Sequence, residues 1–124
     1  MIKIPDTFQE VFDIVSKHLL KQKVKSAAKI HPVKNMCKYR GPNGLKCAAG
    51  ILIPDEEYTQ DMDVHGDWLI LVRKELVENK FGDEITDLQE IHDFGVLGED
   101  NTCYDDWKNK LTKFAQDNDL ICNF

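Results

Sequence analysis

The clearest pattern along the chain is a repeat of apolar residues at intervals of three and four near the N-terminus. The residues are Phe8, Val11, Phe12, Val15 and Leu19. This spacing places them on one face of an α-helix. Asp6 or Thr7 can cap the start of that helix, and Glu10 completes a capping box with Thr7. The sequence therefore predicts an amphipathic helix that ends at about Gln22.

The same criterion predicts three further helices in the second half of the chain. They cover residues 67–80, residues 83–93, and a segment that starts at 102–105 and runs to about 116. Their apolar residues recur with helical spacing and are Leu69, Val72 and Leu76, then Ile85, Leu88 and Ile91 or His92, then Tyr104, Trp107, Leu111 and Phe114. Residues 59–67 are polar, which predicts a connector.

The stretch between the first helix and this helical half has a different pattern. A strong turn signal, Gly41-Pro42-Asn43-Gly44, separates two short segments. If Tyr39 faces Leu45 across this turn, Cys37 faces Cys47, and these four side chains share one face. The opposite face then carries the cations Lys38, Arg40 and Lys46.

Two strands alone are marginal in water, so the Cys37 face of this hairpin must lie on helices. The predicted fold class is therefore α+β. We expect one globular domain over residues 1–124, mostly helical with about four helices, and one β-hairpin or small antiparallel sheet.

Composition sets the broad class. The 124 residues are 42% hydrophobic and 31% charged, which is typical of a soluble globular protein. No apolar run is long enough for a membrane helix, and the N-terminus does not resemble a secretory signal, so a cytoplasmic location is predicted. The cysteines at positions 37, 47, 103 and 122 are then expected to be reduced thiols. The net charge of −6 combines a basic first half with a strongly acidic second half.

Two segments resemble a known family. The first is Cys37-x-Tyr39-Arg40-Gly41-Pro42-x-Gly44-Leu45-Lys46-Cys47-Ala48-x-Gly50-x-Leu52-Ile53-Pro54-Asp55-x-x-Tyr58, and the second is Leu88-Gln89-x-Ile91-His92-Asp93, followed by Trp107 and Leu111. Together they resemble an uncharacterised family of small bacterial and phage proteins, in order over roughly residues 8–120. The resemblance implies a prokaryotic or phage source and an intracellular setting. It implies no mechanism.

The cations of the predicted hairpin are the leading candidates for a binding site. Lys38, Arg40 and Lys46 share one face, and the glycine turn leaves backbone amides free to hold an anion. Arg40 can bind a phosphate or carboxylate through two hydrogen bonds, Tyr39 can stack or hydrogen-bond, and His31 can contact a phosphate. This set suits a nucleotide, a nucleic acid backbone or an acidic protein surface, although nucleotide-binding fingerprints are absent. The alternative is a solvated surface.

An alternative site combines Cys37 or Cys47 as a nucleophile with His92 as its base and Asp93 beside it. Adjacent helical residues point about 100° apart, which disfavours a His92–Asp93 pair. The cysteine spacing is wrong for zinc knuckles, so no metal is predicted. No cofactor is expected either. The simpler interpretation is buried structural thiols, and a half-buried histidine with one hydrogen bond.

These observations favour a small non-enzymatic binding protein, phage-encoded, that engages a host protein or an anionic ligand through the basic hairpin. The partner could be a nucleic acid, and no membrane contact is expected. One alternative is the Cys37 or Cys47 enzyme with His92. Another is an inhibitor whose acidic second half imitates nucleic acid. The apolar tail from Leu120 to Phe124 also allows a homodimer.

Overall fold

A computed structural model describes residues 1–31, 34–65 and 67–124, with the backbone alone at residues 27–31, 34–37 and 65. The described chain contains five α-helices: α1 (Phe8–Gln22), α2 (Gln60–His65), α3 (Trp68–Arg73), α4 (Gly82–Asp93) and α5 (Tyr104–Asp117). Three short 3₁₀ turns lie between α1 and α2, at Pro42–Gly44, Gly50–Leu52 and Asp55–Glu57. Among the described residues, none of the helices combines the length and the apolar character that a bilayer crossing requires.

Helix α1 confirms the prediction from its apolar repeat. The Thr7 hydroxyl accepts the N–H of Glu10 at 3.2 Å, which caps the first turn. At the other end Lys23 adopts a left-handed conformation with φ 67°, and its N–H donates to the Leu19 carbonyl at 2.8 Å. The apolar stripe is fully buried at Val11, Phe12, Val15 and Leu19. Local signals alone therefore define this helix.

The predicted α+β class is wrong: the described molecule is helical, as expected, but the hairpin expected on either side of the turn at residues 41–44 is absent. The segment around Tyr39 does not pair as a strand with the segment around Leu45. Instead the chain folds into the Pro42–Gly44 turn, where the Gly41 N–H donates to the Leu45 carbonyl at 2.8 Å. Asn43 takes a left-handed φ of 58° inside this turn. The turn residues thus close a compact loop rather than a hairpin.

The strands lie earlier in the chain than predicted. The backbone of β1 (Ala27–His31) runs antiparallel to that of β2 (Lys34–Cys37), with Ala27 opposite Cys37. Across the described residues this pair forms no larger sheet. Cys37 therefore stands opposite Ala27 and not opposite Cys47, which corrects the predicted register.

In the second half, α4 and α5 match their predicted ranges, but the helix predicted over 67–80 is shorter. Helix α3 ends at Arg73, and Glu75 takes a left-handed φ of 59°. The chain then pairs with the N-terminus: the Ile2 N–H donates to the Leu76 carbonyl at 2.8 Å, and the Glu78 N–H donates to the Ile2 carbonyl at 2.9 Å. A long-range contact thus replaces the last helical turns. The predicted connector at 59–67 contains α2.

The core lies where α1 packs against α5 and the Gly50–Leu52 turn, and where α4 packs against α3 and α5. Trp107 of α5 is fully buried, and its indole lies so close to Gly95 that a Cβ there would collide with the indole nitrogen. The C-terminal tail folds back onto α1. The Gln9 side chain donates to the Ile121 carbonyl at 2.8 Å and accepts the Ile121 N–H at 2.9 Å.

Candidate functional site

Arg40 is the central residue of the loop that follows β2. Its Nε donates to Asp55 Oδ1 at 3.2 Å, and one Nη2–H donates to the same oxygen at 2.9 Å. Nη1 donates to the carbonyls of Tyr39 (3.1 Å) and Gly50 (2.8 Å), and Nη2 also donates to the Ile53 carbonyl at 2.6 Å. A guanidinium has five N–H donors, so these bonds occupy all of them. Arg40 therefore ties the loop to the turns that follow it.

Lys46 shares the same carboxylate. Its ammonium lies 3.2 Å from Asp55 Oδ1. Hydrogen bonds and charge from Lys46, and then from Arg40, hold the pKa of Asp55 below its usual value. The Lys46 carbonyl accepts from Gln22 Nε2 and from His18 Nε2, each at 2.8 Å. Burial lowers the pKa of His18, which opposes its protonation. Lys46 thus connects the loop to the end of α1.

Tyr39 and Tyr58 both bond to Asp63 on α2. The Tyr39 N–H donates to Asp63 Oδ1 at 2.7 Å, and the Tyr58 hydroxyl donates to Asp63 Oδ2. The Tyr39 ring is buried edge-on against Trp68, with ring centroids 6.3 Å apart. The Arg40 guanidinium lies over the Tyr58 ring, 4.9 Å from its centroid. Burial, together with the Asp63 bond, raises the pKa of Tyr58 to about 12.

A solvent-open cleft of about 570 Å³ lies between this loop and α2. Its lining contains positively and negatively charged side chains, uncharged polar side chains and one apolar side chain. The lining residues are Lys38, Arg40, Tyr58, Gln60, Asp63 and Val64. Each carboxylate oxygen of Asp63 accepts one hydrogen bond from a tyrosine, and all the N–H donors of Arg40 bond to backbone carbonyls and to Asp55. Within the described part of the chain, the Lys38 ammonium and the Gln60 amide have no hydrogen-bond or ion-pair partner. The polar groups of the cleft that have no described bonding partner are therefore the ammonium of Lys38 and the amide of Gln60.

The structure divides the predicted ligand-binding set. Lys38 and Arg40 line one cleft, but Arg40 has no donor left for a ligand. Tyr39 is buried beneath the cleft, and Lys46 lies outside its lining, paired with the carboxylate that Arg40 also binds. The backbone of His31 is in β1, and its side chain lies outside the described residues. Of the predicted ligand-binding residues, Lys38 is the one that lines the cleft and makes no ion pair with another described residue.

The alternative cysteine–histidine set does not form a reactive pair at Cys47. Its thiol is buried and accepts the Gly50 N–H at 3.3 Å. His92 is fully buried, and its Nε2 lies 3.0 Å from the Ser26 N–H, which can only donate. The His92 proton must therefore lie on Nδ1, which donates to Asp93 Oδ1 at 2.9 Å. Both ring nitrogens are occupied. The Cys37 side chain lies outside the described residues.

The predicted divergence of His92 and Asp93 is also wrong. Their side chains meet because Gln89, one turn earlier, donates to Asp93 Oδ1 at 2.7 Å and holds the carboxylate toward the imidazole. The His92 ring stacks on Trp107, with centroids 5.5 Å apart and planes inclined by 22°. This histidine is fully buried rather than half-buried, and it links α4 to Ser26, the residue before β1.

Sequence reasoning missed Gln60 and Asp63, because both fall in the segment that was predicted to be a connector. Asp63 is one of three acidic residues in that segment, and nothing in its sequence context distinguishes it as the buried one. Tyr58 was part of the resemblance motif but had no predicted role. Among the described residues, no three His, Cys, Asp or Glu side chains are grouped closely enough to hold a metal ion.

Comparison of the chain with protein-family models, with curated proteins and with solved structures returns no match.

Proposed function

We propose that the protein is a non-enzymatic binding protein that holds an anionic group of its ligand in the cleft between α2 and the loop that follows β2. The observation that carries this proposal is the contrast among the cations of the loop. Arg40 and Lys46 both bind Asp55, whereas the Lys38 ammonium has no ion-pair partner among the described residues. An unpaired ammonium at the edge of a cleft favours an anion from outside.

The cleft is preorganised for such a ligand. Tyr58 and Asp63 are held by hydrogen bonds to each other, and Arg40 is held by the carbonyls beneath it. A ligand would therefore have to immobilise only the side chains of Lys38 and Gln60, which keeps the entropic cost of binding low. The volume of about 570 Å³ lies within the usual range for small-molecule sites.

The available groups define the ligand's chemistry. Lys38 supplies an ammonium and Gln60 supplies an amide, so a carboxylate or phosphate can be bound by two donors at once. Val64, which is largely exposed, offers an apolar surface on the same cleft. We infer a small ligand with one anionic end and one apolar portion.

The proposal is tested by titrating the ¹⁵N-labelled protein with sodium phosphate, acetate and adenosine monophosphate, and following amide shifts by NMR. We expect shifts at residues 38–40 and 58–64. Lys38→Gln should weaken binding about tenfold, which corresponds to one charge-assisted hydrogen bond of about 1.5 kcal/mol. Lys46→Gln is the matched control, because it removes the same charge from a lysine near Lys38 in sequence that does not line the cleft.

The proposal fails if none of the three anions shifts these amides. It also fails if Lys38→Gln and Lys46→Gln weaken binding equally, because the anion would then be attracted only by general positive charge. The geometry disfavours the enzyme alternative with Cys47, because both ring nitrogens of His92 are already hydrogen-bonded and neither is available as a base for that thiol.

We also propose a source, a location and a partner for the protein. A phage origin, the cytoplasm of the host as location, and a host protein as the bearer of the anionic group rest on the resemblance of residues 37–58 and 88–93. The same holds for a nucleic acid partner, which the adenosine monophosphate titration probes through its phosphate.

A further inference from the structure

The loop between α4 and α5 presents three large apolar side chains to solvent. Phe94 is 70% exposed, Val96 61% and Leu97 62%. Single exposed apolar residues are common on protein surfaces, whereas three within four positions place much apolar surface on one short loop. We call residues 94–98 the apolar loop. Its side chains contribute little to this protein's own core.

The apolar loop is held rigidly in this exposed position. The Gly95 N–H donates to the His92 carbonyl at 3.2 Å, which continues α4 into the loop. The Val96 N–H donates to Asp106 Oδ2 at 2.9 Å, and Lys110 Nζ donates to the Phe94 carbonyl at 3.0 Å.

Asp106 and Lys110 are themselves an ion pair one turn apart on α5, 2.8 Å from each other. This pair therefore fixes the loop backbone at two points. A loop held in this way loses little entropy when a partner covers it.

The charges around the apolar loop indicate the kind of partner. The acidic residues that flank the loop in sequence, or begin the following helix, are Asp93, Glu99, Asp100 and Asp105. Lys110, the cation that bonds the loop backbone, is already paired with Asp106. An apolar centre with an acidic border is complementary to an apolar surface bordered by lysine or arginine.

We propose that the apolar loop docks onto an apolar surface of another protein that has a basic border. A second copy of this chain fits less well, because its net charge of −6 would bring two acidic borders together. An anionic membrane surface is disfavoured by the same repulsion. This surface is separate from the Lys38 cleft, so the inference stands whether or not the cleft binds an anion.

The test uses designed amphipathic helical peptides of about four turns as partners of defined chemistry. One peptide has leucine on one face and lysine on the other, and its counterpart has glutamate in place of lysine. Binding to the full chain is measured by fluorescence anisotropy of the labelled peptide. We expect the lysine peptide to bind and the glutamate peptide not to bind.

The variants locate the contact. Phe94→Ser combined with Leu97→Ser should weaken binding of the lysine peptide at least tenfold, because two buried apolar side chains are lost from the complex. Ile121→Ser is the matched control, because that side chain is equally exposed (67%) but lies on the tail. Circular dichroism of each variant checks that the fold is intact.

The inference is overturned if the double variant binds the lysine peptide as tightly as the parent chain does. It is also overturned if the glutamate peptide binds equally well, because the acidic border would then have no role. Sedimentation velocity tests whether a second copy of this chain binds the apolar loop instead. Self-association that is lost in the double variant would assign the apolar loop to a second copy of the chain, against our proposal.

Discussion

The role of Arg40 is open to a direct stability test. Arg40→Met keeps most of the aliphatic stem but removes the guanidinium, so the carbonyls of Tyr39, Gly50 and Ile53 lose their donor. The sequence alone favours an exposed ligand-binding cation, for which this substitution would leave stability unchanged. The structure instead predicts destabilisation, because the arginine side chain is only 15% exposed and links segments that are ten to thirteen residues apart.

The size of the effect follows from these three carbonyl bonds. A hydrogen bond from a charged donor contributes roughly 1.5–3 kcal/mol, and water can reach part of this site and replace part of that. We therefore expect Arg40→Met to lower the free energy of unfolding by about 3 kcal/mol. We assign no energy to the Asp55 contact, because that carboxylate is open to water. Arg40→Lys keeps the charge but not the planar fork, and should cost about half as much.

The measurement is urea unfolding followed by circular dichroism and by tryptophan fluorescence, with Lys46→Met as the matched control. Lys46 binds the same exposed carboxylate through one ion pair, so its loss should lower the unfolding midpoint only slightly. If Arg40→Met and Lys46→Met have the same small effect, the bonds to the carbonyls do not stabilise the loop, and our interpretation of Arg40 is refuted. A changed denaturant slope would instead indicate an altered unfolded state.

Three further predictions test other parts of the fold. Gly95→Ala should lower the free energy of unfolding by about 1–3 kcal/mol, because the new methyl group would collide with the indole nitrogen of Trp107. Gly98→Ala is the control: its nearest neighbour is 3.5 Å away, so the free energy of unfolding should change by less than about 0.5 kcal/mol in the same urea assay. Burial lowers the pKa of His18, so below its usual value of 6.5 the unfolded state binds more protons than the folded state. Stability should therefore fall as pH decreases below 6.5, and His18→Gln, which retains an N–H donor, should reduce that slope; an unchanged slope would contradict the assignment. Cys122 is exposed, whereas Cys103 is a buried thiol whose pKa is raised by burial. Alkylation mapped by mass spectrometry should therefore modify Cys122 in the native protein and Cys103 only after urea is added. Equal alkylation rates of the two thiols in the native protein would be inconsistent with the burial of Cys103.

The elements predicted correctly are those that local sequence determines. Helix α1 has a capping residue, a continuous apolar stripe and a left-handed terminal residue, all within its own segment. Helices α4 and α5 follow from the same periodicity. The helix predicted over 67–80 fails because Leu76 and Val77 meet the N-terminal residue Ile2, more than seventy residues away in sequence. No signal within the segment indicates that pairing.

The hairpin prediction failed for a different reason. An alternation of apolar and charged residues over so few positions fits a strand, but it fits equally well a loop whose charged side chains turn back onto the backbone. Arg40 does this by reaching the carbonyls of Gly50 and Ile53, and the Pro42–Gly44 turn closes the loop with its own hydrogen bonds. The side-chain period therefore does not distinguish a strand from such a loop here.

The two cations that line the cleft differ in the same way. Lys38 and Arg40 are two positions apart, carry the same charge and line the same cleft, so the sequence assigns them one role. Their roles differ because Arg40 binds Asp55 and three carbonyls, while the Lys38 ammonium makes no hydrogen bond or ion pair among the described residues. A charged residue is available to a ligand only when the fold leaves its donors unused. For this loop, that criterion selects Lys38 as the residue to test for binding and Arg40 as the residue to test for stability.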